Sequence, residues 1–454
     1  FTTIYKLIFM MMKKRFFLKT SLMALAMSSS VYAQKTDAAV NIRGMVKLED
    51  VAETRKKVFA EYAAGVKKAR NEENFLMPQL VEKGLKVKTA KYKIDDVNLM
   101  PYAVLQRGKK MPEGGWPLYI AMHGGGGNAK AAGPHAWRVN TGEWHGQMRF
   151  SADRYPDNAV YFVPRMVDDR HGRWWKTYNV TAFDAMIKHA ILHWKVNPNK
   201  VYMLGISEGG YGTEVLSCLI PDKFAAVDGM ACGSGTSIHV ENLRNLPSRT
   251  DVGEHDTAFG RIKKAVSKHE KIEEYRKKDP EGYVNVLAVQ KGRGHGIDYK
   301  VGPAWLPQFT RNPHPTKVVY TLFKTDELKT SGAYWLQARN DLDKKDIYLT
   351  GEMNKAGNSI TISAKATKAD AKYQAPDWQQ ALAEAGELVP AKGLKLRLWL
   401  HESQLDLSKP ISLNINGVKS KVTPHLNEKA MKESVRKFGD PNYIYPSYID
   451  VEVK

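Results

Sequence analysis

The sequence contains little that would indicate a metal centre, a nucleotide site or a membrane anchor. Only two of the 454 residues are cysteine, and no cysteine and histidine cluster has the spacing of a zinc site. A Walker loop and a dinucleotide-binding glycine motif are both missing. After residue 33, no stretch approaches the roughly 18 consecutive apolar residues that a membrane-spanning helix needs. We therefore expect a protein without a metal or cofactor and without a stable membrane span.

Acidic residues are also scarce, because 48 Asp and Glu stand against 69 Lys and Arg, a formal net charge of +21. Such a balance can indicate a nucleic acid, an anionic polysaccharide or an anionic cell surface as partner. The basic residues, however, are scattered among acidic ones and form no long block or aromatic-interleaved patch. We therefore predict no nucleic-acid partner. Hydrophobic residues make up 43% of the chain, which is enough for a large globular core.

The N-terminal segment has the parts of a secretory signal peptide. Lys13-Lys14-Arg15 precede an apolar stretch at 22–27, and Val31 and Ala33 suit a signal-peptidase site before Gln34. The sequence thus predicts a signal peptide over 1–33 and an exported protein, either periplasmic or secreted. In an oxidising compartment the two cysteines, Cys218 and Cys232, either form one disulfide or are two small buried side chains, and the sequence leaves this open.

Strand-like and helix-like segments alternate between residues 85 and 310. This alternation predicts an α/β fold with a doubly wound, mostly parallel sheet. The segment 34–84 is expected to supply a helix that packs on this region, because apolar residues recur at helical spacing from Val51 to Val66. Six strand-like segments then predict a β-rich, sandwich-like domain over 314–454, with one helix near Glu428 to Phe438.

The sharpest signal is Gly205-Ile206-Ser207-Glu208-Gly209-Gly210, which lies directly between an apolar strand and a helical segment. A G-x-S-x-G sequence in this position forces the serine into a sharp turn and projects its hydroxyl from the carboxyl edge of the sheet. The small residues on either side let neighbouring backbone segments approach closely. We therefore predict that Ser207 is a nucleophile.

A serine hydroxyl is a poor nucleophile until a base removes its proton, so a histidine should follow a later strand. His295 fits best, because it lies in the glycine-rich segment Gly292–Gly296, immediately after the last predicted strand of the sheet. A loop at this position can carry the imidazole over the sheet edge. We predict His295 as the general base.

The third member of such a group is a carboxylate that orients and supports the imidazole, and it should follow an intervening strand. Asp256 is our choice, because it ends the segment that begins at Thr250. Glu254 and Asp298 remain alternatives at this point. With Asp256, the chain order of the three residues is Ser, Asp, His, which is the order found in α/β-hydrolases.

Acyl transfer also needs donors for the negative oxygen of the tetrahedral intermediate. The run His123-Gly124-Gly125-Gly126-Gly127 follows a predicted strand at 117–122 and supplies backbone N–H groups. A phosphate-binding loop is the competing interpretation, but the Lys-Ser/Thr ending of a P-loop is missing. We predict an oxyanion hole formed by the amides of Gly124, Gly125 and Glu208.

Together the segments 123–127, 197–210, 252–258 and 292–295 resemble the α/β-hydrolase superfamily. Within it, they look like the secreted esterase and polyhydroxybutyrate-depolymerase-like branch and like the catalytic domains of prolyl-oligopeptidase-type peptidases. The resemblance covers about residues 85–310. It implies an α/β-hydrolase fold with the serine, aspartate and histidine above as catalytic triad. No propeller repeats precede this region, which argues against a strict oligopeptidase.

Aromatic residues near the predicted sheet edge can stack on a sugar or aryl ring, or they can serve as core and loop anchors. The candidates are Trp144, Trp174, Trp175 and Tyr211. Three arginines of the same region can hold an anionic substrate group or can form a solvated basic loop. They are Arg165, Arg170 and Arg173.

These features favour an exported serine hydrolase that cleaves a carboxylic ester of a small molecule or of a polymer such as a carbohydrate or polyester. A serine peptidase with the same triad is a second hypothesis, since ester and amide acyl transfer share this machinery. A third hypothesis is a non-catalytic carbohydrate-binding or surface protein in which residues 314–454 matter most. A complete nucleophile, acid, base and oxyanion loop in the right order argues against the third.

Overall fold

A mixed, mostly parallel sheet occupies the middle of the computed structural model, which describes residues 44–69, 75–236, 238–323, 330–342, 346–368 and 387–454. Its central strands are buried along almost their whole length, as their continuous apolar sequences require. The nine strands found within the described residues of this sheet are β1 Gln79–Leu80, β2 Ala90–Lys93, β3 Leu99–Arg107, β4 Trp116–Met122, β5 Ala159–Pro164, β6 Val196–Ile206, β7 Ala226–Met230, β8 Ser248–Gly253 and β9 Asn285–Gln290.

The strand order is β1-β3-β5-β4-β6-β7-β8-β9, with β2 also paired to β3. Strand β3 runs antiparallel to β2 and β5, whereas every pair from β5 through β9 is parallel. Parallel strands end at the same edge of a sheet, so the residues that follow β4, β6, β8 and β9 meet there. These four positions are the ones at which the sequence places the glycine run, the serine, the aspartate and the histidine.

Helices cover both faces of this sheet and bury two separate apolar clusters. Phe183 and Met186 belong to one cluster, and Trp144 and Met148 belong to the other. The predicted fold class, a doubly wound mostly parallel sheet followed by a β-rich region, is confirmed. The helices up to residue 310 are α1 Val51–Ala69, α2 Arg138–Asp153, α3 Thr177–His193, α4 Glu208–Leu219, α5 Arg261–Lys278 and α6 Val301–Trp305.

Two further sheets form the C-terminal region within the described residues, one of six strands and one of four. They enclose a single apolar core, and helix α7 (Glu428–Phe438) lies where the sequence predicted it. The six-stranded sheet contains β10 Lys317–Phe323, β13 Asp346–Asn354, β14 Ser359–Thr367, β15 Leu388–Pro390, β17 Ile411–Ile415 and β18 Val418–Val422. The four-stranded sheet contains β11 Gly332–Ala333, β12 Leu336–Ala338, β16 Lys395–Leu400 and β19 Ser447–Glu452.

Helix α1 corrects one expectation, because it packs on the C-terminal region and not on the large sheet. Val51 and Val58 are buried in the C-terminal core. Arg55 donates to the carbonyl oxygen of Ile444 at 3.0 Å and to the Glu402 carboxylate at 2.9 Å. The helical period of the sequence shows that one face is apolar, but it does not show which surface that face covers.

The predicted signal peptide over 1–33 lies outside the described residues. Cys218 and Cys232 are both buried and free, so the structure contains no disulfide between them. Among the helices of the described ranges, none is both long and apolar enough to cross a membrane. Residues from Met45 to Lys454 form one compact unit.

Candidate active site

Ser207 occupies a strained turn between strand β6 and helix α4. Its backbone has φ 54° and ψ −113°, a region that residues other than glycine rarely adopt. A Cβ atom on Gly205 would overlap the carbonyl oxygen of Gly209, and one on Gly209 would overlap that of Met122. The two glycines of the motif therefore let the turn fold against strand β4, and the turn aims the serine hydroxyl away from the sheet.

Ser207, His295 and Asp256 lie in one hydrogen-bonded chain. The Oγ atom of Ser207 is 3.1 Å from Nε2 of His295, and Nδ1 of His295 is 2.8 Å from Oδ2 of Asp256. The imidazole side chain is 45% exposed, whereas the Asp256 side chain is 2% exposed. When Nδ1 carries the ring proton, the Nδ1–H group donates a hydrogen bond to the carboxylate. Nε2 then has a lone pair directed at the serine hydroxyl.

Arg261 holds the other oxygen of Asp256, a contact that the sequence analysis missed. Its Nη1 atom donates to Oδ1 at 3.0 Å, and both side chains are almost completely buried. The guanidinium also lies beside the rings of Phe259 and Tyr211, at 4.9 and 6.0 Å from their centroids. A cation in the first turn of a helix opposes the helix dipole. For Arg261 this unfavourable position is offset by the bond to the buried Asp256 carboxylate.

The two alternative carboxylates lie in the loops after β8 and β9, and neither takes the place of Asp256. Glu254 accepts a hydrogen bond from the amide of Gly292 at 2.9 Å. Asp298 accepts one from the amide of Lys300 at 3.1 Å. Both contacts shape the segment around His295, and neither carboxylate bonds to the imidazole in the described residues.

The glycine run lies beside the serine turn, where the sequence analysis predicted the oxyanion donors. A Cβ atom on Gly124 would be only 3.3 Å from the carbonyl oxygen of Ile206. The buried His123 donates from Nδ1 to the Gly124 carbonyl oxygen at 2.6 Å and accepts at Nε2 from the amide of Met166 at 3.0 Å. Burial lowers the pKa of His123 to about 3, so this ring stays neutral and keeps both bonds.

His123 also sets the direction of a predicted oxyanion donor. The Gly124 carbonyl and the Gly125 N–H belong to one peptide group, in which the two bonds point in opposite directions. Asn140 holds the next two peptide groups, because it accepts from the Gly126 amide at 3.1 Å and donates to the Gly126 carbonyl oxygen at 3.0 Å. Trp174 Nε1 donates to the carbonyl oxygen of His123 at 3.1 Å. The loop is therefore fixed by side chains at both ends.

Glu208, the third predicted oxyanion residue, begins helix α4. Its backbone amide is in the first turn, where the helix offers it no acceptor. Its carboxylate is 2.9 Å from Nη1 of Arg173. Burial raises the pKa of the Glu208 carboxyl to about 7, although the guanidinium acts in the opposite direction. The Glu208 side chain thus anchors the start of the helix, and its amide is available to a ligand.

Three of the four aromatic candidates for substrate stacking are core residues, which corrects that expectation. Trp174 is fully buried and Tyr211 is 5% exposed, so neither ring offers a face to a sugar or aryl group. Trp144 is also buried, at 7% exposed. Trp175 is partly exposed, and the Arg173 guanidinium lies 5.7 Å from its ring centroid. Of the four aromatic candidates, Trp175 alone keeps its predicted role open.

The three candidate arginines are also distinguished by their partners. Arg165 is buried and paired with Asp169 at 2.8 Å. Arg170 is paired with Asp168 at 2.6 Å. Both ion pairs lie within the loop after β5 and stabilise it, whereas Arg173 lies next to the glycine run. Within the described ranges, no group of three or more His, Cys, Asp or Glu side chains is arranged to bind a metal ion.

No protein-family model and no curated protein matches the chain. Among solved structures, it is similar to a thermostable esterase at 18% identity, over 50% of this chain and 63% of that one, with a TM-score of 0.35. A poly(3-hydroxybutyrate) depolymerase from Bordetella parapertussis is 14% identical over 50% of this chain and 91% of its own, with a TM-score of 0.36. A dipeptidyl aminopeptidase IV-like protein from Bacteroides ovatus is 13% identical over 49% of this chain and 34% of its own, with a TM-score of 0.36.

The matched part is thus less than two thirds of the length of the esterase and of the peptidase.

Proposed function

We propose that this chain, which has an α/β-hydrolase fold, is a serine hydrolase that cleaves a carboxylic ester through an acyl-enzyme. The observation that supports this most strongly is the hydrogen-bonded chain from Ser207 through His295 to the buried Asp256. It starts from a serine in a strained turn at the carboxyl edge of a parallel sheet, which is where a nucleophile elbow stands.

Each member of the chain has a role that follows from its contacts. Nε2 of His295 accepts the Ser207 proton as Oγ attacks the ester carbonyl, and it then donates this proton to the leaving alkoxide oxygen as the C–O bond of the ester breaks. Asp256 stabilises the imidazolium that forms between these two steps. The same imidazole then takes a proton from water as the water oxygen attacks the acyl-enzyme, and it returns that proton to Oγ of Ser207 as the acid is released. The partial exposure of the imidazole allows substrate and water to reach it.

The oxyanion of the tetrahedral intermediate would be held by the amides of Gly124, Gly125 and Glu208. The first two belong to the loop that His123 and Asn140 hold in place, so these donors are oriented before substrate binds. Donors that need no reorganisation stabilise the transition state more than the ground state. The amide of Glu208 contributes from the first turn of α4.

The protein would act after export, because residues 1–33 have the pattern of a signal peptide. The substrate would be a small-molecule ester or an ester carried on a polymer. A serine peptidase is the second candidate function, because the same three groups also open amides. The non-catalytic alternative would leave the strained serine and its base without a role.

The test is a paired panel of short-chain and feruloyl aryl esters beside peptidyl anilides, measured with the parent protein and with Ser207→Ala. Loss of the nucleophile should lower kcat on esters on the order of 10⁴-fold or more. Ser420→Ala changes an exposed serine of strand β18 and should leave kcat unchanged.

Full ester turnover by Ser207→Ala would refute the proposal. Comparable turnover of the anilides by the parent would replace the esterase assignment with the peptidase one.

A further inference from the structure

The side chain of Glu143 lies beside the glycine run, at the edge of the candidate active site. A Cβ atom added to Gly124 would be 2.9 Å from Oε2 of Glu143 and 3.3 Å from the carbonyl oxygen of Ile206. Ile206 immediately precedes the candidate nucleophile in the chain. Glu143 itself is exposed and belongs to the second turn of helix α2. Its carboxylate is thus next to one of the predicted oxyanion donors and next to the serine turn.

The same carboxylate is near the loop that carries the candidate base. Tyr299 donates from its hydroxyl to the carbonyl oxygen of His295 at 3.2 Å. Burial raises the pKa of the Tyr299 phenol, and the negative charges of Glu143 and Asp256 act in the same direction. Glu143 is therefore close to the histidine loop as well as to the glycine run. These two segments lie on either side of the Ser207 hydroxyl.

The Glu143 carboxylate has no partner in the parts of the chain that the structure describes. It forms neither a hydrogen bond nor an ion pair there. The chain has a large excess of Lys and Arg, yet none of those described pairs with this acid. Its own helix offers no cation either, because the positions three and four residues away are uncharged. They are Val139, Asn140, Gly146 and Gln147.

A free negative charge at this position opposes the proposed reaction. Negative charge develops on the carbonyl oxygen of the ester in the transition state, beside the amides of Gly124 and Gly125. Two negative charges at short distance repel each other, most strongly where substrate and protein exclude water. The carboxylate of Glu143 therefore raises the barrier for a neutral ester, and it raises the barrier further for an anionic one. A positive charge on the substrate would replace this repulsion with attraction.

An ammonium group is the cation that suits this position. A metal ion needs several ligands, and no set of three or more His, Cys, Asp or Glu side chains is arranged for one in the described ranges. An ammonium group, in contrast, can pair with a single carboxylate. The exposure of Glu143 leaves room for a substrate group beside it.

We propose that Glu143 makes the candidate active site selective for esters that carry an ammonium group on their acyl or alcohol part. This inference rests on the proposed ester hydrolysis and adds the charge of its substrate. The positive net charge of the chain would by itself favour anionic substrates. Glu143 reverses that preference at the place where the ester reacts.

The test uses pairs of esters with the same shape and different charge. Acetylcholine and its carbon isostere dimethylbutyl acetate differ in the alcohol part. Nitrophenyl trimethylammoniobutanoate and its carbon isostere nitrophenyl dimethylhexanoate differ in the acyl part. In at least one pair, the parent protein should have a kcat/KM about 10-fold higher for the charged ester, and added salt should reduce this ratio.

Three variants assign the preference to one carboxylate. Glu143→Gln should lower the ratio of charged to neutral kcat/KM about 10-fold, and Glu143→Lys should lower it further, because attraction becomes repulsion. Glu113→Gln removes an exposed acid that precedes strand β4, at the opposite end of this strand from the glycine run, and should change the ratio less than 2-fold. A substitution that only disturbed the fold would lower both members of a pair alike.

The possible failures can be told apart. An unchanged ratio in both Glu143 variants, or a parent that hydrolyses the aryl-ester panel but neither charged ester, would overturn this inference alone. A parent that hydrolyses neither the aryl-ester panel nor these four esters would overturn the proposed ester hydrolysis as well.

Discussion

Arg261 and His295 approach the same carboxylate from opposite sides. Asp256 accepts a hydrogen bond from the guanidinium at Oδ1 and one from the imidazole at Oδ2. These two partners together fix the orientation of the carboxylate. The guanidinium also offsets part of the negative charge that the imidazole experiences. In the proposed mechanism, Arg261 is therefore a positioning residue that acts on His295 through Asp256.

Replacing this arginine should change both the rate and its pH dependence. Arg261→Met should lower kcat/KM for ester hydrolysis about 10- to 100-fold, because Asp256 loses one of the two bonds that orient it. The uncompensated carboxylate should stabilise the imidazolium more strongly, so the acid limb of the pH–rate profile should move to higher pH. Steady-state kinetics between pH 5 and 9 would measure both effects.

Arg261→Lys should recover part of the rate and should move the acid limb back towards the parent profile. Arg276→Met removes an arginine from the same helix where the side chain is 43% exposed, and it should change neither quantity. An Arg261→Met protein with a reduced rate but an unshifted profile would mean that the residue supports the fold alone.

The hydrogen-bonded residues of the candidate active site differ in how far the sequence predicts them. Ser207, Asp256 and His295 follow strand ends, and parallel strands end at one edge, so chain order alone brings them together. Arg261 reaches the same carboxylate only because α5 docks at one particular angle, which no local pattern encodes. Trp174 shows the converse, because an aromatic residue near the edge has the same sequence signature whether its ring faces solvent or the core.

At the scale of elements, the serine turn depends on backbone contact between three segments. Strand β4, strand β6 and helix α4 meet where Gly209 lies against the carbonyl of Met122 and Gly205 lies against Gly209. Packing this close excludes any side chain at either glycine. The turn is thus held by the sheet beneath it, and this support keeps Ser207 at its unfavourable φ and ψ.

A methyl group at this contact should displace the serine turn and destabilise the protein. Gly209→Ala should lower the free energy of unfolding by about 3 kcal/mol or more, because the neighbouring atoms are backbone and cannot move aside. Gly146→Ala in helix α2 meets no atom within 4 Å and should raise stability by roughly 0.5 to 1 kcal/mol. Urea denaturation of both variants would measure the difference, and equal stability of the two proteins would contradict the account.

Element types could be read from the sequence more easily than element partners. The alternation of apolar runs and helical periods predicts the parallel sheet, and Glu428–Phe438 is a helix as expected. The partner of helix α1 was predicted wrongly, because its few apolar positions fit either region equally well. Its contacts with Glu402 and Ile444 involve sequence separations that a local pattern does not report.

On the scale of the whole molecule, Arg311 joins the large sheet to the C-terminal region. Its guanidinium donates to the carbonyl oxygen of Asp222 at 2.8 Å, to Oδ1 of Asn199 at 2.8 Å and to the Asp440 carboxylate at 2.6 Å. The ring of Tyr443 lies 4.7 Å from it. The sequence analysis placed the boundary between the two regions near this residue, but it gave no sign that one buried cation links them.

Removing that cation should loosen the junction. Arg311→Met should cost about 3 to 5 kcal/mol, because it leaves the buried Asp440 carboxylate unpaired, and it should separate the thermal unfolding of the two regions. Differential scanning calorimetry should then show two transitions in place of overlapping ones. Adding Asp440→Asn should recover part of the loss, whereas Arg138→Met on the surface should have no effect. An unchanged calorimetric profile for Arg311→Met would contradict the linking role.

Helix α1 cannot pack until the C-terminal region has been synthesised, because its packing partners lie there. Arg55 bonds to a residue 389 positions later in the chain. At a synthesis rate of about 5 to 20 residues per second, the helix emerges roughly 20 to 80 seconds before its partner exists. During this interval Val51 and Val58 have no core to enter, and they are available to chaperones. Burial of helix α1 is thus a late event in biogenesis, and a chain that ends before residue 444 would still expose the apolar face of this helix to the quality-control machinery.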